Sequence, residues 1–409
     1  MRVLFLAKRL PMPVLDGLGI RKRGVLGRLS AIADVEVVTY DEGYLPAALD
    51  RAVTGIARVP HDPARPSGLG DRARYAMSGR GLFHDVPGFR DALRRARDAA
   101  PFDLIWIGSW AMLPYAELCR ELFPDARIVA DLADDVVRAR EIERGKSGSI
   151  RGQLALWREI VRFRDLERSA LEHVDVALYV SEADAASTLR RNPGVRVETR
   201  PNGVDTDYFT PSPKRRDAPV VAFEGTMDFA PNIEGAVHLV RDILPLVRAR
   251  IPEVEILLIG REPTPTVRAL AGPGVTVTGT VDDVRAHLGR ASVFACPLLG
   301  GVGQKNKILQ AWSMGLPIVA TPISTVGLTF EDGADLVLAR DARAFAAAVV
   351  QLLEDPVRRD ALGREGRANA LRNYSTERRM DDVESLVRDL VRCRSGGGAS
   401  GGCAADVAP

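Results

Sequence analysis

The chain has 409 residues, a length that favours two or three domains over one. With 46% hydrophobic and 27% charged residues, its composition is that of a globular protein with a large core rather than a mainly disordered one. The formal net charge of +2, without a basic stripe interleaved with aromatic residues, argues against nucleic acid as the main ligand.

No early segment predicts export or membrane insertion. The longest early apolar run, Val3 to Ala7, is followed at once by Lys8 and Arg9, and it is too short for a signal-peptide core or a membrane span. We therefore expect a cytoplasmic protein. The four cysteines show no CxxC spacing and the five histidines show no pairing, which argues against a disulfide framework, a zinc site or a catalytic triad.

Short β-branched runs alternate with longer amphipathic stretches, a pattern typical of βα units and parallel sheets. The first half also contains a long predicted helix near Gly152 to His173. The strands predicted there are Arg2 to Ala7, Asp34 to Tyr40, Asp103 to Gly108, Arg127 to Asp131 and Val174 to Ser181. The strands predicted in the second half are Val220 to Gly225, Glu255 to Gly260, Val275 to Gly279, Ser292 to Pro297 and Pro317 to Thr321. Each series predicts one doubly wound α/β domain.

Turn formers and prolines between the two series, from Arg200 to Arg216, predict an interdomain linker. The predicted organisation is an N-terminal domain at 1–199, a linker at 200–217, a C-terminal domain at 218–374, a helix at 375–394 that packs back on the N-terminal domain, and a disordered Gly/Ala/Ser tail at 395–409. Ligands of such sheets bind at the carboxyl ends of the strands. Both domains should therefore offer those ends to one central cleft.

The most informative segment is a Gly-rich turn after the strand that ends at Pro297. We expect a helix to begin near Gly303 or Gln304, and its free amides and dipole would form an anion site. Lys305 and Lys307 are two of only six lysines among 56 basic residues, and a compact ammonium suits a phosphate oxygen. Gln310 shares a helix face with Lys307. The alternative to an anion site is an ordinary solvated first turn of the helix that binds no ligand.

A second glycine loop follows the first strand. It holds Asp16, Gly17 and Gly19 and leads into a helix that carries Arg21 and Arg23. A lone Gly-x-Gly lacks the third glycine of the dinucleotide fingerprint, which disfavours a nicotinamide enzyme. The loop is either a ligand-facing turn or a turn with no further role.

Three carboxylates follow the fourth strand: Asp131, Asp134 and Asp135. Side chains at a strand end can bind a metal or position an acceptor hydroxyl. Alternatively, Asp134 caps a helix and the other two are solvated. The residues alone leave both interpretations open.

The Gly-rich segment resembles the donor-binding signature of glycosyltransferase family 4, retaining enzymes of the GT-B fold. In that signature a Gly-rich turn precedes a helix reading roughly Lys-x-x-Glu-Ala-x-Ala-x-Gly-x-Pro-Val-Val-Ala. Further matches follow in the expected order: the strand-to-helix turn Val180 to Asp184, the linker Pro201 to Asp205, and the second-domain opening Phe223 to Met227. The likeness spans most of the chain.

The resemblance implies two Rossmann-like domains facing a central cleft. It also implies a hexosyl-type transferase that uses a UDP- or GDP-type sugar as co-substrate, with no other cofactor and no metal. The implied catalytic residues are Lys305, Lys307 and Asp131, the last beside the transferred sugar. The implied donor-binding residues are Gly225, Arg261, Thr280, Val281, Val302, Gly303, Gln304 and Gln310, with Gln310 on the ribose. The implied acceptor or diphosphate loop contains Asp16, Gly17, Gly19 and Arg21.

The chain departs from the family pattern at two places. Family members usually carry two glutamates eight residues apart, and those positions hold Val302 and Gln310. An amide can also bond ribose hydroxyls, but the negative charge is gone. Relatives also place an Arg and a Lys after the opening strand of the second domain, whereas Thr226 to Asn232 contains neither. We expect the lysines of the Gly-rich segment to supply that charge, helped by Arg261 or by Arg21 and Arg23.

The expected activity is sugar transfer to an acceptor hydroxyl with retention, in polysaccharide, glycolipid or natural-product biosynthesis. Two alternatives stay open: a GT-B nucleotide-sugar epimerase or hydrolase, and a non-catalytic nucleotide-sugar binding protein. Residues 51–100 carry ten Arg and five Asp on the expected acceptor side. Loop-like breaks within that segment favour a soluble or phosphate-bearing acceptor, with membrane association at most peripheral.

Overall fold

The computed structural model describes residues 1–12, 17–40, 43–60, 87–212 and 218–395. The predicted tail after residue 395, Asp16 and most of the arginine-rich segment lie outside these ranges. The described chain folds into two α/β domains, each built on one parallel sheet whose strands are short apolar runs. Such runs suit a sheet that helices cover on both faces.

The N-terminal sheet uses seven described strands, all parallel. Their bounds are β1 Arg2–Ala7, β2 Asp34–Tyr40, β3 Gly55–Val59, β4 Leu104–Ile107, β5 Arg127–Ala133, β6 Val176–Tyr179 and β7 Val197–Thr199. The spatial order is β3-β2-β1-β4-β5-β6-β7. Described helices around it are α1 Gly17–Ile32, α2 Ala47–Ala52, α3 Pro87–Ala99, α4 Ala116–Leu122, α5 Val136–Lys146, α6 Ile150–Leu171 and α7 Glu182–Arg191, with a 3-10 helix at Trp110–Tyr115.

The C-terminal sheet repeats this plan with six described strands. They are β8 Val220–Glu224, β9 Glu255–Ile259, β10 Val275–Val277, β11 Val293–Cys296, β12 Ile318–Ala320 and β13 Val337–Leu338, in the order β10-β9-β8-β11-β12-β13. Its helices in the described ranges are α8 Ala230–His238, α9 Leu244–Arg248, α10 Pro265–Arg268, α11 Val284–Leu288, α12 Asn306–Ser313, α13 Ala342–Glu354 and α14 Pro356–Tyr374, with a π turn at Leu239–Ile243 and a 3-10 helix at Pro322–Thr325.

Both sheets reverse their strand order once, between β1 and β4 and between β8 and β11. Ligands of doubly wound sheets bind outside the carboxyl ends of the strands at this switch point. In the N-terminal domain the segment after β1 leads into α1. In the C-terminal domain the segment after β11 leads into α12. These two connections position the candidate site.

The structure confirms the predicted strands where a buried apolar run forms an inner strand of the sheet, as in β1 and β2. The sequence patterns missed β3, β7 and β13, which are edge strands with partly exposed side chains and no continuous apolar run. The helix after the Gly-rich turn begins at Asn306, later than predicted, because Gly303 has φ +68° and continues the turn.

The helix after the C-terminal domain, α15 (Thr376–Ser395), packs on the N-terminal domain. Its residues Met380, Val383 and Leu386 share a buried cluster with α1 and the N-terminal sheet. Helix α15 is therefore part of the N-terminal core, and the chain crosses between the domains twice.

We expect Leu386→Ala to lower the free energy of unfolding by about 2–5 kcal/mol, the usual cost of deleting a buried leucine side chain. Leu386 is 3% exposed. The matched control is Leu371→Ala on α14, where the side chain is 45% exposed and the loss should be about 1 kcal/mol or less. Urea unfolding followed by tryptophan fluorescence measures both, and equal losses would contradict the packing of α15.

Candidate active site in the interdomain cleft

The Gly-rich turn between β11 and α12 leaves no room for a side chain at position 303 while Asp134 keeps its position. A Cβ there would lie 1.7 Å from Oδ1 of Asp134, a residue of the N-terminal domain. The turn is thus pressed against the opposite wall of the cleft. Gly303 also has φ +68°, a backbone conformation that glycine adopts without strain.

Lys305 holds the turn in shape from inside. It is the N-cap residue of α12, and its Nζ donates to the carbonyl oxygens of Val302 at 2.8 Å and Gly303 at 2.7 Å. Burial lowers the pKa of Lys305, and the carboxylate of Asp134 opposes that shift. A largely buried ammonium therefore lies directly beside the free amides of a helix N-terminus.

Lys307 lies two residues further along, on the side of α12 that faces the C-terminal sheet. Its Nζ donates to the carbonyl oxygen of Glu224 at 2.6 Å and to Oδ1 of Asn232 at 2.7 Å, and it lies 4.4 Å from the ring centroid of Phe223. A Cβ at Gly225 would lie 2.6 Å from the same Nζ. Burial lowers the pKa of Lys307 as well. The geometry thus joins Lys307, predicted as catalytic, with Gly225, predicted to bind the donor.

Arg21 on α1 provides a cation from the N-terminal domain. Its Nε donates to Oδ1 of Asp131 at 2.7 Å, and its Nη1 donates to the carbonyl oxygen of Arg200 at 2.8 Å and to Oδ1 of Asn202 at 3.2 Å. Within the described part of the chain, Nη2 is buried and has no hydrogen-bond partner. A buried guanidinium with a spare donor indicates a place for a further acceptor.

The three carboxylates after β5 have three different environments. Asp131 is buried, which raises its pKa against the opposing effect of Arg21. Asp135 caps α5 by accepting from the amide of Arg138, so the capping residue is Asp135 and not Asp134. Asp134 faces the Gly-rich turn.

A strained turn holds Asp134 in that position. Ala133 has φ +62°, and the amide of Asp134 donates to the carbonyl oxygen of Leu132 at 2.8 Å. Positive φ at a non-glycine residue is uncommon and often marks a functional site. Enclosure in the cleft raises the pKa of Asp134 to about 6, opposed by Lys305 and reinforced by Asp184, although the side chain still meets solvent in the cleft.

Backbone and side-chain hydrogen bonds join the two walls of the cleft. Oδ2 of Asp184 on α7 accepts from the amide of Gly303 at 2.9 Å. The amide of Asn202 donates to Oε1 of Gln304 at 2.7 Å, and its side-chain Nδ2 donates to Oδ1 of Asn306 at 3.0 Å. The linker residue Asn202 therefore connects Arg21 on one wall with the start of α12 on the other.

The N-terminal ends of α1 and α12 meet at this point. Gly17 begins α1, Asn306 begins α12, and a Cβ at Gly17 would lie 2.3 Å from Nδ2 of Asn306. Each helix N-terminus carries a partial positive charge. Two such ends, together with Arg21 and Lys305, make this part of the cleft strongly suited to an anion.

The remaining predicted donor residues lie along the carboxyl edge of the C-terminal sheet. A cavity of about 570 Å³ opens beside β9 and β10, and Thr280 lines it; the other lining residues are Glu262, Pro263, Arg268, Ala271, Val277, Thr278 and Gly279. Arg261 is ion-paired with Glu262 at 3.0 Å, and Val281 is half-buried beyond Thr280. Gln310 is half-buried on α12. Gly19, which was predicted in the acceptor or diphosphate loop and not among the donor residues, is buried within α1.

Sequence reasoning missed the partners from across the cleft. Asp184 ends the strand-to-helix turn that carried part of the resemblance; Ser181 caps α7 there, and Asp184 also binds Gly303 and Arg138. The sequence analysis predicted no site role for Asn202 or Asn306. The resemblance of the linker around Asn202 to the family pattern is the one feature of the sequence that points to Asn202.

Among the described residues, no group of three or more His, Cys, Asp or Glu side chains is arranged to hold a metal ion. No helix in those same ranges combines the length and the apolar composition needed to cross a membrane.

Comparison with known proteins gives a family and several relatives. A family model described as Glycosyl transferases group 1 matches residues 218–355. Phosphatidyl-myo-inositol mannosyltransferase of Mycobacterium leprae is 30% identical over 185 residues, which cover 42% of this chain and 48% of that protein. A GDP-mannose-dependent alpha-(1-6)-phosphatidylinositol monomannoside mannosyltransferase of Mycolicibacterium smegmatis is 30% identical over 251 residues, 54% of this chain and 65% of that protein. The alignments thus span about half to two thirds of these relatives.

Solved structures match over nearly the whole chain. Sucrose-phosphate synthase from Thermosynechococcus elongatus superposes with a TM-score of 0.73 and 18% identity, covering 96% of this chain and all of that one. Anabaena Alr3699/HepE in complex with UDP and glucose gives a TM-score of 0.68 and 14% identity, covering 95% of this chain and 99% of that one. Identities this low show the fold alone. Residues 218–355 therefore resemble the group 1 glycosyl transferases, and the described chain has the GT-B fold of these structures.

Proposed function

We propose that this protein is a retaining hexosyltransferase of family 4 that moves a sugar from a nucleoside diphosphate sugar to an acceptor hydroxyl. The names of the matched relatives support a GDP-mannose donor and an inositol lipid acceptor as the first compounds to test. The solved complex of a similar fold with UDP keeps UDP-sugars as the second choice.

One observation carries the proposal: two helix N-termini meet in the cleft together with Arg21 and Lys305. A diphosphate is the anion that fits this arrangement, because it needs several donors over a short distance and two cations from different sides. Nη2 of Arg21 has no partner among the described residues and supplies one donor. The amides at the start of α12 supply others.

The rest of the donor extends from the diphosphate toward the C-terminal sheet. We assign the base to the 570 Å³ cavity that Thr280 lines. Arg261 and Val281 are the chain neighbours of the lining residues Glu262 and Thr280. Gln310 lies on α12 after Lys307 and is the candidate for the ribose hydroxyls. Its amide can donate and accept, so it can replace a carboxylate there at the cost of one charge.

Sugar transfer requires that the bond between the anomeric carbon and the diphosphate oxygen breaks while the acceptor oxygen bonds to that carbon. For retention without a covalent intermediate, the acceptor attacks on the face that the diphosphate leaves, and the acceptor proton passes to a phosphate oxygen. Negative charge grows on the leaving group in this step. Preorganised cations and amides aimed at that charge contribute about 10²- to 10³-fold each.

The two aspartates after β5 have separate proposed roles. Asp131 engages Arg21, so we assign it the positioning of that guanidinium. Asp134 faces the turn that would carry the sugar, in a solvent-accessible part of the cleft. The sequence-based assignment of Asp131 to the sugar stays a prediction.

Incubation with a panel of nucleotide sugars tests the proposal against both alternatives. A transferase releases nucleoside diphosphate in proportion to a glycosylated acceptor, and proton NMR of the new anomeric signal reports retention. Release of free sugar or an epimer from donor alone would indicate a hydrolase or epimerase. Donor binding without turnover on any acceptor would indicate a binding protein.

We expect Lys307→Ala to lower kcat by about 10²-fold or more, with a smaller change in donor affinity, because the ammonium stabilises the departing diphosphate. Arg250→Ala removes an exposed cation from the same domain and is the control, with wild-type kcat expected. Circular dichroism checks that both variants fold. Wild-type turnover in Lys307→Ala would contradict the assignment.

Gln310→Ala should weaken donor binding by about 0.5–1.5 kcal/mol, the usual value of one neutral hydrogen bond. Gln310→Glu should keep or raise the affinity because a carboxylate accepts from both ribose hydroxyls. Calorimetric titration with the donor measures both. Unchanged affinity in Gln310→Ala would show that the ribose lies elsewhere.

Donor affinity should fall as pH rises through about 6, because Asp134 then ionises beside the diphosphate. The diphosphate of a nucleotide sugar does not titrate in this range, so the change reports on the protein. Asp134→Asn should bind with little pH dependence and, above the pKa, about threefold or more tightly than the wild type. Asp360→Asn, on exposed α14 surface, is the control. Parallel pH profiles in the wild type and Asp134→Asn would refute this role.

A further inference from the structure

The long helix α6 exposes an apolar stripe in its first half. Ile150 is 86% exposed, Leu154 and Trp157 are 47% exposed, and Val161 is 37% exposed. Their spacing of four, three and four residues places them on one face of the helix. Exposed apolar side chains that are scattered singly are ordinary, whereas a contiguous row of four large ones marks an interaction site.

The stripe is not part of the domain core. A second face of α6 supplies the buried residues Ile160, Phe163 and Leu171, which pack in the N-terminal core cluster. The helix therefore has two apolar faces, and the fold uses one of them.

Basic residues surround the exposed stripe. From Arg144 to Arg158 the sequence contains four basic residues and no acidic one, and Arg151 and Arg158 are exposed. We call the segment Arg144–Val161, at the α5–α6 connection, the basic-apolar tip. Apolar and tryptophan side chains flanked by arginines are the pattern of a surface that lies in the interface of an anionic bilayer.

The basic-apolar tip adjoins the mouth of the cleft. Nζ of Lys146 pairs with Oε2 of Glu234 in the C-terminal domain at 2.5 Å. A Cβ at Gly300, in the Gly-rich turn, would also lie 2.5 Å from that Nζ. The next residue back, Leu299, is 50% exposed. The apolar stripe begins four residues after Lys146, so the Cα of Ile150 lies within about 15 Å of the Cα of Lys146.

From this arrangement we infer that the basic-apolar tip docks on an anionic lipid bilayer and presents the cleft to an acceptor carried by a lipid in that bilayer. The occupant is the bilayer surface, because the tip carries four basic residues against one acidic residue, Glu159, which pairs with Arg140, and because its tryptophan suits the headgroup region. The inference about the acceptor rests on the proposed transferase function. The docking itself does not.

Trp157 makes the test direct. The chain has four tryptophans, and the other three, Trp106, Trp110 and Trp312, are at most 5% exposed. Full-length protein is mixed with vesicles of phosphatidylcholine and phosphatidylglycerol that contain a brominated phosphatidylcholine, and tryptophan fluorescence is recorded. We expect quenching with these vesicles, none with vesicles that contain the same brominated lipid but no phosphatidylglycerol, and none in Trp157→Phe although that variant still co-sediments.

Two double variants separate the apolar and the basic contributions in co-sedimentation. Leu154→Gln with Trp157→Gln and Arg151→Gln with Arg158→Gln should each lower the partition coefficient about tenfold or more, since each basic residue near an anionic surface contributes about fivefold. Leu246→Gln with Leu371→Gln changes two exposed leucines of the C-terminal domain and should bind like the wild type.

Equal co-sedimentation of all variants, or quenching that persists in Trp157→Phe, would overturn the inference. So would a concentration-dependent dimer that disappears in the Leu154/Trp157 variant without any vesicle binding, because the stripe would then join two copies of the chain. The vesicle assay contains no donor. Failed docking with intact transfer to a water-soluble acceptor would therefore refute the docking surface alone, and intact docking without transfer would refute the proposed function alone.

Discussion

The contact between Gly303 and the opposite wall of the cleft is the constraint on which the rest of the site depends. The amide of Gly303 binds Asp184, and the place of its missing side chain is taken by Asp134. This contact brings the start of α12 against the start of α1. A larger residue at position 303 would have to displace the Asp134 carboxylate and would adopt the positive φ with strain.

The charge balance around that contact suits the reversible binding of an anion. Arg21 and Asp131 form a buried pair, with side chains 1% and 4% exposed. Removing one partner of such a pair costs about 3–5 kcal/mol, because the other charge is left buried and uncompensated. Lys305 has Asp134 and Asp184 nearby. Carboxylates of the N-terminal domain thus neutralise cations that a diphosphate would otherwise neutralise, and a bound donor would compete with them.

The sequence predicted the part of this arrangement that depends on local pattern. Strands β1 and β2 begin and end where predicted because buried apolar runs with sharp polar boundaries leave little choice. Lys305 and Lys307 stood out because lysine is rare in this chain and because they follow a Gly-rich turn. Their partners could not be predicted in the same way. Gly303 meets Asp184 across 119 residues and Gln304 meets Asn202 across 102, and no spacing rule reaches that far.

The two apolar faces of α6 show a second property that the sequence pattern does not predict, namely which face meets the core. Apolar periodicity predicted the helix near its observed bounds, but it does not say which apolar face meets the core. Ile160 and Ile150 have the same side chain, and they are 3% and 86% exposed. Only the packing of α6 against its own domain separates the two. A surface of this kind therefore becomes visible once the fold is known.

The most direct test of the central claim is a phosphorus NMR titration of bound GDP or UDP. If the diphosphate lies between the ends of α1 and α12, the cations and amides there stabilise its fully ionised form, and the pKa of the terminal phosphate should fall by about one unit or more from its usual value near 6. Arg21→Gln should remove part of that decrease. A terminal phosphate that titrates in the complex as it does in free solution would contradict the account.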